Sequence, residues 1–125
     1  MTPKKILVVE DSPALAESLQ DLFTLQGYTA LLAPNGKTGL ELALAEHPDL
    51  ILLDLKLPDI DGYEVLRQIR KDSWGKKATV LILTASDLSE TIPEDLNLTE
   101  NDIMRKTNYG LDEILARVYA TLFKD

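Results

Sequence analysis

Three short apolar runs constrain this chain more than any other feature: Ile6-Leu7-Val8-Val9, Leu50-Ile51-Leu52-Leu53 and Thr79-Val80-Leu81-Ile82-Leu83. Each is continuous rather than alternating and is rich in branched side chains, which is how a strand covered on both faces reads. Each also stops at a polar residue and a turn: Glu10 and Asp11 after the first, Asp54 after the second, Thr84 after the third. Buried parallel strands of this kind deliver polar side chains to one edge of the sheet.

Helical patterns fill the gaps. Ser12-Pro13 reads as an N-cap followed by proline in the first turn, and Leu15, Leu19, Leu22 and Phe23 then recur on one face. Gly27 stops that helix, and residues 28–32 read as a short strand. Asn35-Gly36 marks a turn, after which Leu40, Ala43 and Leu44 give a second helix its apolar face until His47-Pro48 ends it. Asp61-Gly62 opens a third helix with Val65, Leu66 and Ile69 inward, and Leu111, Ile114, Leu115, Val118 and Leu122 make the last helix amphipathic. Residues 86–100 have no clean period and contain Pro93; they read as a short or distorted helix, followed by a brief fifth strand at Ile103-Met104.

Strands alternating with helices over short connections imply right-handed βαβ units. The expected fold is therefore a three-layer α/β/α sandwich with a five-stranded parallel sheet and five helices, occupying residues 1–125 as one domain. In such sheets ligands sit beyond the carboxyl ends of the strands, where the strand order reverses. Composition narrows the chemistry. The absence of cysteine excludes disulfides, thiolate zinc sites and cysteine nucleophiles, and a single histidine excludes a multi-histidine metal cluster. A net charge of −8 repels phosphate backbones, so direct nucleic-acid binding is not expected. The N-terminus carries no targeting pattern and no apolar stretch is long enough to span a bilayer, so a cytoplasmic location without membrane attachment is expected.

Glu10, Asp11 and Asp54 would converge at the switch point if their strands are neighbours. Two carboxylates about 5 Å apart repel by roughly 3 kcal/mol at an effective dielectric of 20. Three together call for a cation, and a few hard oxygen ligands open to water suit Mg²⁺ with phosphate as co-ligand. With the Thr84 hydroxyl and the Lys106 ammonium nearby, these are parts for phosphoryl transfer.

The sequence closely resembles the receiver domain of bacterial two-component response regulators over its whole length. The residues that carry the resemblance are Val8-Val9-Glu10-Asp11-Ser12, Leu52-Leu53-Asp54-Leu55-Lys56-Leu57-Pro58-Asp59-Ile60-Asp61-Gly62, Leu83-Thr84-Ala85, and Lys106. The second of these is the most specific: an aspartate, three residues, a proline, three residues, a glycine. The resemblance implies the flavodoxin-like, doubly wound strand order 2-1-3-4-5. It implies that Asp54 accepts a phosphoryl group from a phosphohistidine on a sensor histidine kinase or histidine phosphotransfer protein, and that the domain promotes its own phosphorylation and dephosphorylation. Asp11 and Asp54 would hold Mg²⁺ directly, with the Lys56 backbone carbonyl as a third ligand and Glu10 acting through water. Lys106, the Thr84 hydroxyl and the Ala85 backbone N–H would contact the phosphoryl group, with the Lys56 side chain at its outer side. The surface from the fourth strand to the last helix would change on phosphorylation, and a homodimer through that face is among the implied assemblies.

Two positions depart from the family pattern. Ile103 stands three residues before Lys106, where the family carries an aromatic switch, and Thr107 follows the lysine in place of proline. An isoleucine has a stiff χ1 and no ring to swing. The expectation is intact phosphorylation chemistry with a non-standard output face over residues 87–108. The alternative class is a phosphate-independent pseudo-receiver serving as a protein-interaction module, which the complete acid set, Thr84 and Lys106 oppose. An aspartyl-phosphate phosphatase would want a second acid where Lys56 stands, and a flavin site would not follow a strand with Glu10-Asp11. His47 reads as a solvated helix terminus, Trp74 as a loop cover, and the acidic run of residues 90–102 as a solvated face.

Overall fold

The computed structural model describes residues 2–85 and 92–124. Five parallel strands, β1 (Lys5–Val9), β2 (Thr29–Ala33), β3 (Leu50–Leu53), β4 (Val80–Thr84) and β5 (Ile103–Arg105), form one sheet in the order β2-β1-β3-β4-β5. Four helices connect them: α1 (Pro13–Leu25), α2 (Gly36–Glu46), α3 (Gly62–Lys71) and α4 (Leu111–Leu122). The order reverses between β1 and β3, so the carboxyl ends of those two strands flank the switch point.

The apolar runs are continuous because they feed two cores. Leu7, Val9, Ile51, Leu53, Val80 and Ile82 point into the layer formed with α2 and α3. Their neighbours Ile6, Val8, Leu50, Leu52, Leu81 and Leu83 join Leu19 and Phe23 of α1 and Ile114 and Val118 of α4 on the other side. The helix boundaries follow local chemistry. The Ser12 hydroxyl accepts the Leu15 N–H at 3.4 Å, the Asn35 side-chain oxygen accepts from Thr38 at 2.8 Å, and Asp61 accepts from Tyr63 at 2.7 Å. Gly27, at φ +88°, takes the left-handed turn that ends α1.

Several expectations need correction. Asn35-Gly36 is the start of α2 itself, cap and first residue. The buried face of α2 consists of Gly36, Gly39 and Ala43, while Leu44 is exposed. The cause is proximity: a Cβ at Gly39 would lie 2.8 Å from the Val9 side chain, so this helix rides on β1 with no room for larger residues. The expected helix over residues 86–100 lies partly outside the described residues. Its described portion forms a 3₁₀ turn at Glu94–Leu96, and a second follows at Glu100–Asp102. Proline at position 93 has no N–H for a helical ladder. Four α-helices rather than five are thus present among the described residues. His47 is exposed at the end of α2, as expected, and its ring stacks on that of Trp74 at 4.5 Å and 8°.

Candidate functional site

Backbone pairing past the ends of the strands fixes the acid cluster. The Glu10 N–H donates to the Ala33 carbonyl at 3.0 Å, and the Asp54 N–H donates to the Val9 carbonyl at 3.0 Å. The first residues beyond β1 and β3 therefore stay in register, side by side. Glu10 and Asp54 are buried, at 4% and 5% exposure, while Asp11 is exposed. One carboxylate oxygen from each of Glu10, Asp11 and Asp54 lies within 4.8 Å of the other two.

Lys106 is brought in by the opposite half of the sheet. Its backbone N–H donates to the Thr84 carbonyl at 2.8 Å, continuing the β4–β5 ladder. Its Nζ sits 2.7 Å from Glu10 Oε1 and 3.1 Å from Asp54 Oδ2. The contact to Glu10 is the shorter of the two. Burial raises the Glu10 pKa above 4.5 despite the Lys106 hydrogen bond and the Ser12 N–H that oppose it, and the Asp54 charge pushes the same way as burial. Burial alone would lower the Lys106 pKa, but the Glu10 and Asp54 carboxylates more than offset it, so the ammonium titrates above 10.5.

Thr84 ends β4 with no exposure to solvent, one strand from Asp54, and Ala85 follows it at the same rim of the sheet. The Lys56 N–H donates to Asp54 Oδ1 at 3.3 Å, which places the Lys56 backbone against the acid, while its side chain is exposed. The residues named from sequence thus gather around one rim, with Glu10, Asp11, Asp54 and Lys106 in mutual reach.

Gly62 and Asp59 hold this loop in place. Gly62 packs so closely on the loop that a Cβ there would meet the Asp54 carbonyl oxygen at 2.3 Å and Leu55 Cα at 2.7 Å. This gives a steric reason for the glycine that closes the Asp-Pro-Gly spacing. Asp59 reaches across to α2, accepting the Gly36 N–H at 2.8 Å and the Lys37 N–H at 2.9 Å. Those bonds, the Lys37 N–H first, hold its pKa below 3.8. An aspartate in a Pro-Asp loop gives no hint of which distant helix it caps.

The donor set fits a divalent metal. Three carboxylates against one ammonium leave an excess of two negative charges at the rim, all on hard oxygen atoms, with one of the acids open to water.

Comparison with known proteins agrees. The model of the response regulator receiver domain matches residues 6–119. Response regulator MprA of Mycolicibacterium vanbaalenii is 38% identical over 120 residues, covering 96% of this chain and 51% of that protein. The chain spans about half the length of the curated relatives it matches, 51% of this one. The receiver domain of the Francisella response regulator 1452 superposes with a TM-score of 0.81 at 29% identity, covering 95% of this chain and 96% of that one. The receiver domain of sensor histidine kinase PA1611 from Pseudomonas aeruginosa superposes with a TM-score of 0.82 at 27% identity, over 97% of this chain and 98% of that one. That structure has a magnesium ion coordinated in its active-site cleft. A family match that runs from β1 into α4, on a β2-β1-β3-β4-β5 sheet with its acids at the switch point, makes this chain a member of the response regulator receiver domain family.

Proposed function

We propose that Asp54 is the phospho-acceptor of a two-component relay. The observation that carries this reading is the Lys106 ammonium bridging Glu10 and Asp54 at 2.7 Å and 3.1 Å, with Asp11 in the same cluster. One Asp54 carboxylate oxygen attacks the phosphorus of a phosphohistidine on a sensor histidine kinase or phosphotransfer protein. An O–P bond forms, the N–P bond breaks, and its electron pair leaves with the imidazole nitrogen, which takes up a proton. A carboxylate is a weak nucleophile, so the work falls to groups that neutralise the phosphoryl oxygens.

Asp11, Asp54 and the Lys56 backbone carbonyl would hold Mg²⁺, with Glu10 acting through water. The bound ion supplies positive charge against the phosphoryl oxygens. Lys106 keeps its charge across the physiological range and turns from Asp54 to the arriving phosphoryl group. The Thr84 hydroxyl and the Ala85 N–H donate to that group from β4, and the exposed Lys56 side chain borders its outer side. The same groups promote hydrolysis of the acyl phosphate when water takes the place of the departing imidazole.

The reading extends to a cytoplasmic setting; no helix among the described residues is long and apolar enough to cross a membrane. The surface that responds is the segment after β4, with β5 and α4, which also serves as the homodimer face. Acetyl phosphate with Mg²⁺ tests the proposal: mass spectrometry should find one added phosphoryl group, absent without Mg²⁺ and absent in Asp54→Ala. Undiminished labelling of Asp54→Ala would overturn it.

A further inference from the structure

The loop between β3 and α3 carries two of the groups proposed above to hold Mg²⁺, the Asp54 carboxylate at its start and the Lys56 backbone carbonyl. A third, the Asp11 carboxylate, follows β1. An ion shared between two segments is bound only as well as those segments are held relative to one another. The ends of the loop are pinned. The Asp54 N–H donates to the Val9 carbonyl at 3.0 Å, and the Gly62 N–H donates to the Leu55 carbonyl at 2.9 Å. The stretch between them has little to fix it. Pro58 has no N–H to give, and the Lys56 N–H turns back to Asp54 Oδ1 at 3.3 Å. Leu57 and Ile60 pack against the core, an attraction without direction.

Among the described residues, the hydrogen bonds that tie residues 56–60 to another part of the chain are both made by Asp59. Its Oδ1 accepts the Gly36 N–H at 2.8 Å and its Oδ2 accepts the Lys37 N–H at 2.9 Å. One oxygen to each donor fixes the direction of the carboxylate as well as its distance. Those donors open α2, which has no acid of its own in its first turn, so the Asp59 charge also meets the positive end of the helix. Contact is close around this tie, since a Cβ at Gly36 would lie 2.7 Å from Ile60 Cγ1. The helix in turn is seated on Val9 through Gly39. Val9 ends β1, two residues before Asp11, and its carbonyl is the one that receives the Asp54 N–H. A closed path results, from Val9 through α2 and Asp59 into the loop and back through Asp54.

We propose that Asp59 is a positioning residue for the metal site, setting its Mg²⁺ affinity by holding the Asp54 loop in fixed relation to Asp11. The inference rests on the phospho-acceptor reading of Asp54. Asp59 stands three residues beyond Lys56 and acts through the backbone between them. With the tie in place the loop is ordered before the ion arrives. Without it, ordering the loop falls to the binding event and weakens it.

Mg²⁺ titration of the full chain, followed by amide NMR shifts at Asp11 and Lys56, tests this, together with the rate of acetyl phosphate labelling at each Mg²⁺ concentration. Asp59→Ala should raise the Mg²⁺ half-saturation point at least about fivefold, short of the roughly 10–100-fold lost with a group bonded directly to a metal ligand. At saturating Mg²⁺ its labelling rate should stay within about twofold of the parent, because the reacting groups are untouched. Asp59→Asn keeps one acceptor oxygen and should bind Mg²⁺ with an affinity between the two. Asn35→Ala strips the other cap of α2, which accepts the Thr38 N–H at 2.8 Å, and should leave Mg²⁺ affinity within about twofold of the parent. The proposal is overturned if Asp59→Ala binds Mg²⁺ as the parent does, if Asp59→Asn is as weak as Asp59→Ala, or if Asn35→Ala weakens the ion equally. Those results leave the reading of Asp54 standing, whereas a parent that neither binds Mg²⁺ nor takes the label overturns both.

Discussion

Replacing Lys106 with methionine keeps the length and apolar stem of the side chain and deletes its charge, which leaves Glu10 and Asp54 buried with no cation between them. At an effective dielectric of 20, an ammonium at 2.7 Å and 3.1 Å from two carboxylates gains gross attractions of about 6 and about 5 kcal/mol. Desolvation of the three groups consumes much of this, and Lys106 retains 24% side-chain exposure. The net loss should therefore be about 2–4 kcal/mol, against a total stability of about 5–15 kcal/mol for a domain of this kind. Thermal unfolding in EDTA should show the melting point of Lys106→Met lowered by about 10 °C relative to the parent. The same electrostatics predicts rescue. A cluster that has lost its ammonium binds a divalent ion more tightly, and an ion present at a hundred times its dissociation constant adds about 2.7 kcal/mol. Addition of Mg²⁺ should thus raise the variant's melting point by more than it raises the parent's. If the variant melts within about 2 °C of the parent in EDTA, or gains no more than the parent from Mg²⁺, the cluster is not the charge-strained site described above.

Gly62→Ala pushes a methyl group into the Asp54 carbonyl, where a Cβ would sit at 2.3 Å, so it should cost about 1–3 kcal/mol in urea unfolding and slow acetyl phosphate labelling. Asp59→Ala removes the acceptor for the Gly36 and Lys37 N–H groups, and amide exchange at those two positions should accelerate while the far end of α2 is unchanged. Glu10 has a pKa above 4.5 in the folded protein, so its contribution to stability is fully present below 4.5 and is lost as pH rises through the folded value. Glu10→Gln should accordingly flatten the fall in stability as pH rises above about 4.5, as read by denaturant midpoints at each pH. Ile103→Val, in the core at 6% exposure, should cost about 0.5–1.5 kcal/mol and leave acetyl phosphate labelling unchanged.

The strands and the cluster were legible in the sequence for the same reason. A strand buried on both faces must be apolar throughout, so its first polar residue marks the end of the sheet, and Glu10, Asp54 and Thr84 are such residues. The same rule set most strand boundaries to within a residue. What the pattern could not show is how near one element lies to another. On α2 the pattern places Leu40 and Ala43 toward the core but not Leu44, which is exposed, because close approach to Val9 reserves the centre of that face for Gly36, Gly39 and Ala43. The second acid bound by Lys106 was hidden because a lysine's reach covers both Glu10 and Asp54, and only the register of β1, β3 and β5 decides between them. In the described part of the segment before β5, Pro93 and the left-handed Asn97, at φ 54°, favour short 3₁₀ turns over an α-helical ladder.

Ile103 shows how a departure from the family pattern changes what the β5 edge can do. It opens β5, pairs with Ile82, and packs with Val80, Ile82 and Leu96 in the core shared with α2 and α3. A side chain that is 6% exposed and branched at Cβ has neither room nor a rotamer to swing outward, so it acts as filling rather than as a rotor. The connection between Thr84 and the outer edge is then a backbone one. The Thr84 carbonyl accepts the Lys106 N–H at 2.8 Å, and Thr84 stands opposite Arg105 in the ladder. A displacement of the Thr84 backbone would shift β5 with it and carry the exposed Arg105, because the two strands are joined by a hydrogen-bonded ladder.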